Sequence, residues 1–304
     1  MREITIGARG SKLAVIQAEE VKNKLIEFFP DLKIHLARIK TAGDHNLTAS
    51  LDDFAGQGVF VKELEKALLE RRIDLAVHSL KDLPTEIPEG LLLAAVTDRL
   101  NPRDVLISRR GKLSELAPKS KIGTGSRRRA VQLLAIRPDL TIANIRGNID
   151  TRLRKVPDGE FDGVIVAAAA MLRLGWQQRI TEYLPAEYFT PAVGQGTLGV
   201  EIRSQDSEIL DLVSKIKDTS TWAAISAERA FLRALGGGCR APIAALGTIS
   251  NDNLKLEGMV AGIEGSQILR AAAEGDVTQP EQLGKNLASK MIGLGALSIM
   301  GSEA

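Results

Sequence analysis

Two stretches of the sequence repeat one pattern: residues 6–17 read IGARGSKLAVIQ and residues 122–133 read IGTGSRRRAVQL. Each combines a short strand-like run, a Gly-rich turn, a serine and an amphipathic helical pattern. A serine there can cap the helix, which leaves backbone N–H groups of the first helical turn available to an anion. The repeat predicts two α/β domains whose anion-binding turns face a common cleft. Because Gly/Ser turns before helices are frequent in α/β proteins, a purely structural role stays open.

The residues around the first repeat alternate between strand and helix patterns. Strands are predicted at 3–7, 33–39 and 73–78, and helices at 12–29 and near 61–68. The first helix has an apolar stripe that is predicted to face the core, made of Ala14, Ala18, Val21, Leu25 and Phe28. The run at 73–78 is almost continuously apolar, as expected of a strand that is buried on both faces. This alternation predicts a layered α/β domain with a mainly parallel sheet.

A second α/β domain is predicted around the second repeat, and a strand at 198–202 is expected to return to the first domain. From about residue 218 a helix, three strand-like runs and a last helix indicate a small α+β domain. The fold class is therefore α/β, with mainly parallel sheets in two domains and a small α+β C-terminal domain. The predicted boundaries are 1–98 with 197–217 for the first domain, 99–196 for the second, and 218–304 for the third.

The charge distribution points to an anionic partner at one place. The 304-residue chain carries a net charge of only +2, but residues 119–155 contain ten Lys/Arg against two Asp/Glu. Such a local surplus can serve an anionic ligand without making the whole surface basic. Nucleic acid would also explain the charge. However, aromatic residues make up 4% of the chain and none lies in 119–155, so stacking platforms for bases are scarce.

The cysteine and histidine content limits the chemistry further. The single cysteine, Cys239, cannot form an internal disulfide, and His35, His45 and His78 are too scattered to predict a metal site. With no apolar leader and no 18-residue apolar run, the expected compartment is the cytoplasm. Cys239 follows three glycines in LGGGCRAP. A buried structural cysteine is the ordinary interpretation, whereas an exposed glycine loop favours covalent attachment of a group to the thiol.

The basic run Arg127-Arg128-Arg129 begins the helix of the second repeat. Positive charge at a helix N-terminus is mildly unfavourable, so another use for these side chains is expected. A guanidinium group pairs bidentately with a carboxylate, which suits a substrate with many acidic groups. A solvated basic face is the alternative. Further basic residues that fit the first interpretation are Arg9, Arg146, Arg152 and Lys155.

Two other motifs lie next to predicted strands. In AVHSLKDLP, Lys81 and Asp82 follow the buried strand at 73–78, where ligands bind in open α/β sheets. An ordinary surface Lys-Asp pair is the alternative. GQGTLG at 194–199 matches the spelling of a dinucleotide site but precedes a strand instead of opening a helix. That segment is predicted to be a hinge or interdomain turn, and Gln195 is assigned no chemistry.

Taken together, these segments resemble the porphobilinogen deaminase family. The resemblance covers nearly the whole chain and rests on GARGSKLA, FVKELE, DLAVHSLKDLP, GTGSRRR, RGNIDTRL, PAVGQG, AERAFL and GGGCRAPI, in that order. It implies three domains, the first two like those of periplasmic binding proteins, with a cleft between them. It also implies that four porphobilinogen molecules are joined head to tail, with loss of ammonia, into hydroxymethylbilane for tetrapyrrole biosynthesis.

The resemblance further implies a dipyrromethane cofactor, made from two substrate molecules and attached to Cys239 by a thioether. Asp82 matches the catalytic aspartate, whose carboxylate stabilises the pyrrole N–H as ammonia leaves and a cationic azafulvene forms. The residues expected to bind the cofactor are Cys239, Lys81, Ser79, Arg128, Arg129, Thr124, Ser126 and Arg146. Those expected to bind substrate are Arg9, Ser11, Arg146, Arg152 and Asn148.

The partner expected from these observations is porphobilinogen, with no nucleic acid, no membrane and no metal. A monomer is compatible with the small third domain and the near-neutral charge. A competing class is a two-domain anion-binding protein without catalysis. It would explain the turns and the arginines, but it would not explain a solitary cysteine behind three glycines.

Overall fold

A computed structural model of the chain describes residues 3–39, 61–237, 242–262 and 267–301. The chain divides into two compact units. The first consists of Met1–Leu100 with Thr197–Trp222, and the second of Asn101–Gly196 with Ala223–Ala304. The second unit contains both the second α/β sheet and the small C-terminal sheet, so the three-domain boundaries given above stay a prediction.

Strands and helices alternate through the first two thirds of the described residues. The strands are β1 (Glu3–Arg9), β2 (Lys33–Ile39), β3 (Leu75–Ser79), β4 (Leu91–Val96), β5 (Asp104–Ser108), β6 (Lys121–Gly123), β7 (Thr141–Ala143), β8 (Gly163–Ala167), β9 (Glu182–Tyr183), β10 (Leu198–Arg203), β11 (Ile243–Ser250), β12 (Asn253–Ala261) and β13 (Ile268–Asp276). The helices are α1 (Lys12–Phe28), α2 (Lys62–Leu69), α3 (Arg127–Ile136), α4 (Ile149–Arg154), α5 (Ala168–Arg173), α6 (Ser207–Ser214), α7 (Thr219–Ala234), α8 (Pro280–Gly293) and α9 (Ala296–Met300). Within the described ranges, no helix has both the length and the apolar character needed to cross a bilayer.

The two five-stranded sheets have the same plan. Their strand orders are β2-β1-β3-β10-β4 and β7-β6-β8-β5-β9. In each sheet three neighbouring strands are parallel, and one reversed strand separates them from the fifth. Four of five strands thus point in one direction, as the prediction of mainly parallel sheets requires. Because β10 joins the first sheet after the chain has built the second, the predicted return of the 198–202 strand is confirmed.

The first repeat folds as predicted, with a serine at the start of its helix. The Ala14 N–H donates to the Ser11 hydroxyl over 3.3 Å, which satisfies one of the free donors of the first turn of α1. Ala18, Val21 and Leu25 then form the apolar stripe that packs on the first sheet. Phe28, which the periodicity assigns to this stripe, is instead 55% exposed at the end of the helix.

The C-terminal sheet is antiparallel, in the order β11-β12-β13, and packs against helices on both faces. On one face Phe231 of α7 and Leu287 of α8 share a core with Leu256 of β12. On the other face Val131 of α3 contacts a small cluster that includes Met259. The predicted small C-terminal α+β domain is therefore confirmed, and α3 lies against it.

Close packing of α7 on α8 depends on Gly284. A Cβ atom added there would lie 2.3 Å from the Ala227 carbonyl oxygen, which belongs to the backbone of α7. We expect Gly284→Ala to destabilise the C-terminal sheet by about 1–3 kcal/mol, because the helices must separate. Gly293→Ala on the same helix meets open space and should leave stability unchanged or slightly raised. Thermal unfolding followed by circular dichroism measures both variants, and equal unfolding temperatures would contradict the packing argument.

Candidate active site

The carboxyl edge of the first sheet gathers five of the predicted site residues. β1 ends at Arg9 and is followed by Ser11, while β3 ends at Ser79 and is followed by Lys81 and Asp82. The two strands are parallel neighbours, so their carboxyl ends lie at the same edge. Loops at this edge are where open α/β sheets bind ligands.

Asp82 ends a short 3-10 turn that is held firmly at its start. The turn spans Leu80–Asp82, and the Leu80 N–H donates to the Thr197 carbonyl over 3.0 Å. Leu80 and Leu83 are buried on either side, whereas Asp82 is exposed. The backbone is therefore fixed by apolar packing and by the strand that returns from the second unit, while the carboxylate reaches solvent.

Ser79 is positioned by a residue that the sequence patterns do not single out. The Gln17 side chain donates from Nε2 to the Ser79 hydroxyl oxygen over 2.7 Å. Gln17 is 5% exposed and lies on the buried stripe of α1. A polar residue on an otherwise apolar helical stripe is the signal that could have identified it, because a buried amide needs a hydrogen-bond partner.

A buried ionisable pair lies behind the same strand. His78 Nε2 and Glu201 Oε2 are 2.9 Å apart, and both side chains are almost fully inaccessible. The pair joins β3 to β10 next to the turn that bears Asp82. Burial raises the pKa of nearby Glu65, and the charge of Glu201 raises it further. His78 is thus engaged with a carboxylate inside the first unit.

The second unit has a corresponding edge, built from the loops after β6 and β7. The Thr124 N–H donates to the Ala143 carbonyl over 3.0 Å, and the Ser126 N–H donates to the Thr124 hydroxyl over 3.2 Å. The Ser126 hydroxyl in turn accepts from the Arg129 N–H over 3.4 Å, as a cap of α3. This edge brings together five predicted residues, namely Thr124, Ser126, Arg146, Asn148 and Arg152.

Arg146 and Arg152 differ in their surroundings. Arg146 is half-exposed in the loop that precedes α4. The Arg152 Nε donates to the Gly147 carbonyl over 2.7 Å, which draws its side chain back along the same loop. Asn148 precedes α4 and is exposed.

Arg128 and Arg129 have a buried partner that the sequence analysis missed. Asp104 is fully buried at the start of β5 and accepts from Arg128 Nη2 over 2.7 Å and from Arg129 Nη2 over 2.6 Å. Gln195 Nε2 also donates to Asp104, over 2.9 Å. We call Asp104, Arg128, Arg129 and Gln195 the Asp104 cluster.

The Asp104 cluster explains why basic residues begin a helix. Two guanidinium groups at the start of α3 are neutralised in part by an internal carboxylate, and their remaining donors reach the carbonyls of Thr190 and Ile165. Burial lowers the pKa of Arg128, and the charge of Asp104 opposes that shift. In this structure the two side chains hold the helix onto the sheet, so their contact with a cofactor stays a prediction.

The glycine-rich segment at 194–199 behaves as a turn. Gly194 and Gly196 have φ values of +74° and +99°, which residues with a side chain rarely adopt. The Gly194 N–H donates to the buried carboxylate of Glu228 over 2.8 Å, and β10 begins two residues after Gly196. No helix follows the motif, which agrees with the prediction of a turn and with the rejection of a dinucleotide site. Gln195 is buried and contributes to the Asp104 cluster.

Cys239 lies outside the described residues. In the sequence it falls between α7, which ends at Ala234, and β11, which begins at Ile243. Both elements belong to the C-terminal sheet and its helices.

Family models match the chain in two consecutive parts. Residues 4–211 match the porphobilinogen deaminase dipyromethane cofactor binding domain, and residues 222–293 match the porphobilinogen deaminase C-terminal domain. The chain belongs to the porphobilinogen deaminase family. The resemblance noted from the sequence motifs is thereby confirmed, together with the transferase activity and the dipyrromethane cofactor that the family implies.

Individual relatives agree over nearly their full length. Porphobilinogen deaminase of Pelotomaculum thermopropionicum is 49% identical over 98% of this chain and 96% of its own. Porphobilinogen deaminase of Syntrophobacter fumaroxidans is 44% identical over 98% of this chain and 97% of its own. Among solved structures, the methionine binding protein MetQ is similar over 70% of this chain and 88% of its own, with 12% identity and a TM-score of 0.45.

Each of the two sheet edges, taken by itself, carries donors that suit the carboxylates of a dipyrromethane cofactor. Lys81 and Ser79 supply a cation and a hydroxyl at the first edge. Thr124, Ser126 and Arg146 supply two hydroxyls and a guanidinium at the second edge, next to the N-terminus of α3, a ten-residue helix. Hydroxyls, cations and helical N–H groups are the donors that bind carboxylates.

We expect the Asp104 cluster to be a major source of stability for the second α/β sheet. Asp104→Asn keeps the shape of the side chain but leaves two buried guanidinium groups without a counter-charge, which should cost about 3–5 kcal/mol. The matched control is Asp139→Asn, because Asp139 pairs with Arg137 at an exposed position where an ion pair contributes little. Chemical denaturation measures both. A small loss in Asp104→Asn would mean that the guanidinium groups find other acceptors.

Proposed function

We propose that this chain polymerises porphobilinogen with Asp82 as its catalytic group. The family joins four porphobilinogen molecules head to tail into hydroxymethylbilane, with loss of one ammonia per addition. The observation that carries the assignment is the exposed carboxylate of Asp82 on a turn whose backbone is held by Thr197 and by buried leucines on both sides. A fixed backbone with an accessible side chain is what a catalytic carboxylate needs.

Asp82 acts on the charge that develops as ammonia leaves. Cleavage of the C–N bond of the aminomethyl group leaves positive charge delocalised onto the pyrrole nitrogen. A carboxylate that accepts a hydrogen bond from that pyrrole N–H stabilises the cation more than it stabilises neutral substrate, so the barrier falls. The new C–C bond then forms, and the attacked ring loses a proton to restore its aromaticity.

The binding residues divide between the two edges. We propose that Arg9, Ser11, Arg146, Arg152 and Asn148 bind the acetate and propionate groups of substrate. Lys81, Ser79, Thr124, Ser126 and Arg146 bind those of the cofactor. Arg128 and Arg129 support the same site, since they fix the first turn of α3 beside Thr124 and Ser126.

The dipyrromethane, when bound, supplies the free pyrrole α-carbon to which each substrate unit is joined. We propose that Cys239 carries it through a thioether. The support is chemical: Cys239 is the only thiol in the chain, and it follows three glycines in a stretch that matches the family. Once hydroxymethylbilane is released by water, the primer stays on the protein for the next round.

The competing function classes are less well supported. A nucleic-acid binder needs an available basic surface, but several cations of 119–155 are engaged internally. Arg128 and Arg129 bind Asp104, Arg137 binds Asp139 and two carbonyls, and Lys155 binds Glu160. We therefore propose a monomeric enzyme that binds porphobilinogen and no nucleic acid. Its proposed compartment is the cytoplasm, where a lone thiol stays reduced.

Asp82→Asn should keep the fold and lose most turnover. The amide has the shape of the carboxylate but no charge to stabilise the developing cation, so kcat should fall by about 10²-fold or more. Porphobilinogen consumption by holoenzyme of equal cofactor content is the measurement. The matched control is Asp211→Asn, an exposed aspartate on α6 of the same unit. Near-normal kcat in Asp82→Asn would remove the role proposed for that carboxylate.

Cys239→Ser should abolish cofactor attachment. Expressed in a host that makes porphobilinogen, the unaltered chain should show an intact mass above that of its sequence, and its denatured form should give an aldehyde colour reaction for pyrroles. The serine variant should show the bare polypeptide mass and no colour. Retention of the added mass in Cys239→Ser would place the attachment elsewhere.

A further inference from the structure

The C-terminal sheet is joined to the second α/β sheet along α3. Val131 of α3 packs against Ala244, Met259 and Ala261. In β13, Leu269 and Ala271 face the core formed with α7 and α8, so Ile268 and Arg270 point to the opposite face, which meets α3. β13 is an edge strand of its sheet, and Arg270 is its cation nearest to this contact.

Arg270 reaches across the junction with both terminal nitrogens. Nη1 donates to the Thr190 hydroxyl over 2.5 Å, and Nη2 donates to Gln132 Oε1 over 3.0 Å and to the Tyr188 carbonyl over 2.6 Å. All three acceptors belong to the second α/β sheet and its loops. None is a carboxylate, and no salt bridge forms with Arg270 among the described residues.

Two of the three residues that accept from Arg270, Thr190 and Gln132, also bond to Arg128. The Gln132 side chain accepts from the Thr190 N–H over 2.8 Å and donates to the Thr190 carbonyl over 3.0 Å. Arg128 Nη1 donates to that same carbonyl over 2.6 Å. Two hydrogen-bonded steps therefore connect β13 with the Asp104 cluster and with the first turn of α3.

The guanidinium of Arg270 is turned away from solvent, which is unusual for a surface arginine. Its guanidinium is partly buried, which lowers the pKa of Arg270 from its ordinary value although the side chain remains exposed along part of its length. An exposed arginine that served only solubility would keep its guanidinium in water. Here the charge strengthens three bonds to neutral oxygens, as charge-assisted hydrogen bonds do.

We propose that Arg270 is a positioning residue that sets the first turn of α3 relative to the C-terminal domain. The inference rests on the proposed function, in which the cofactor is attached to Cys239 on that domain and its carboxylates bind beside Ser126. The two ends of the cofactor are then held by elements that Arg270 joins. Loss of the junction would leave the cofactor attached but displaced from the geometry needed for C–C bond formation, where small displacements slow reactions strongly.

The test compares holoenzymes of Arg270→Met and Lys255→Met. Lys255 is on the adjacent strand β12 and on the same sheet face, but its ammonium bonds to Glu257 within the C-terminal sheet. We expect full cofactor content in both variants by intact mass. In Arg270→Met, kcat should fall about tenfold with little change in KM, and enzyme species with one to three added pyrroles should accumulate. Lys255→Met should match the unaltered chain.

Two further variants distinguish an effect of the hydrogen-bond geometry of Arg270 from an effect of its charge or of misfolding. Arg270→Lys keeps the charge but offers one nitrogen in place of two, so it should recover kcat only in part. Thr190→Val removes one acceptor without changing shape, and it should show a smaller loss of kcat that is not additive with Arg270→Met. This variant also carries the test if Arg270→Met does not fold.

The inference is overturned by either of two results. One is an unchanged kcat per cofactor-loaded molecule in Arg270→Met, with or without a lower unfolding temperature. The other is full recovery by Arg270→Lys, which would make charge alone sufficient. Failure of the proposed function would be recognised by different results, in experiments that leave Arg270 unchanged. These results are an unaltered chain without cofactor mass, or a fully active Asp82→Asn.

Discussion

The buried carboxylate of Asp104 is the interaction on which the second unit depends. It lies at the first residue of β5, where the chain enters the second sheet, and accepts hydrogen bonds from α3 and from the segment that leaves that sheet. One side chain thus connects the entry, the first helix and the exit of the domain. Burying a carboxylate with two guanidinium groups is costly unless the donors are satisfied, and the carbonyls of Thr190 and Ile165 accept from two further guanidinium nitrogens.

A second constraint is shared by both sheets. In each, the reversed strand lies between the third and fourth parallel strands, and in each it is the strand next to the crossover between units. β10 arrives from the second unit and places the Thr197 carbonyl opposite Leu80. The strand that closes the first sheet therefore also holds the turn that presents Asp82. The same return of the chain from the second unit thus adds β10 to the first sheet and fixes the turn that bears Asp82.

Local patterns in the sequence are sufficient for much of this architecture. The serines that cap α1 and α3, the buried strand at β3 and the turn at Gly194 can all be predicted because each depends on residues within a few positions. Five elements are not predicted. β4, β9, α5 and α9 lack an alternation or stripe that separates them from loops, whereas α6 carries Ile209, Leu212 and Val213 at helical spacing, a signal that could have identified it. Phe28 is assigned wrongly to the core because a helical stripe does not reveal where the sheet beneath it ends.

The buried polar residues of the site escape prediction for a different reason. Nothing near Asp104 marks it as the partner of arginines more than twenty positions away, and Glu201 and His78 meet only when β10 returns to the first sheet. Two other local features do indicate that a partner exists. The arginine pair Arg128-Arg129 at a helix N-terminus and Gln17 on an apolar stripe are each unfavourable unless another group binds them. An unfavourable local choice indicates that a distant partner exists but does not identify it.

This distinction changes how the arginines of the site are ranked. The family resemblance implies five arginines for the acidic groups, with Arg128, Arg129 and Arg146 toward the cofactor and Arg9, Arg146 and Arg152 toward the substrate. Arg128 and Arg129 are buried and bonded to Asp104, whereas Arg9, Arg146 and Arg152 are each half-exposed. A guanidinium already desolvated and paired gains little from a second carboxylate, while a half-exposed one loses little water to gain a full ion pair. We therefore expect Arg9, Arg146 and Arg152 to meet incoming carboxylates, whereas Arg128 and Arg129 give the first turn of α3 a fixed position.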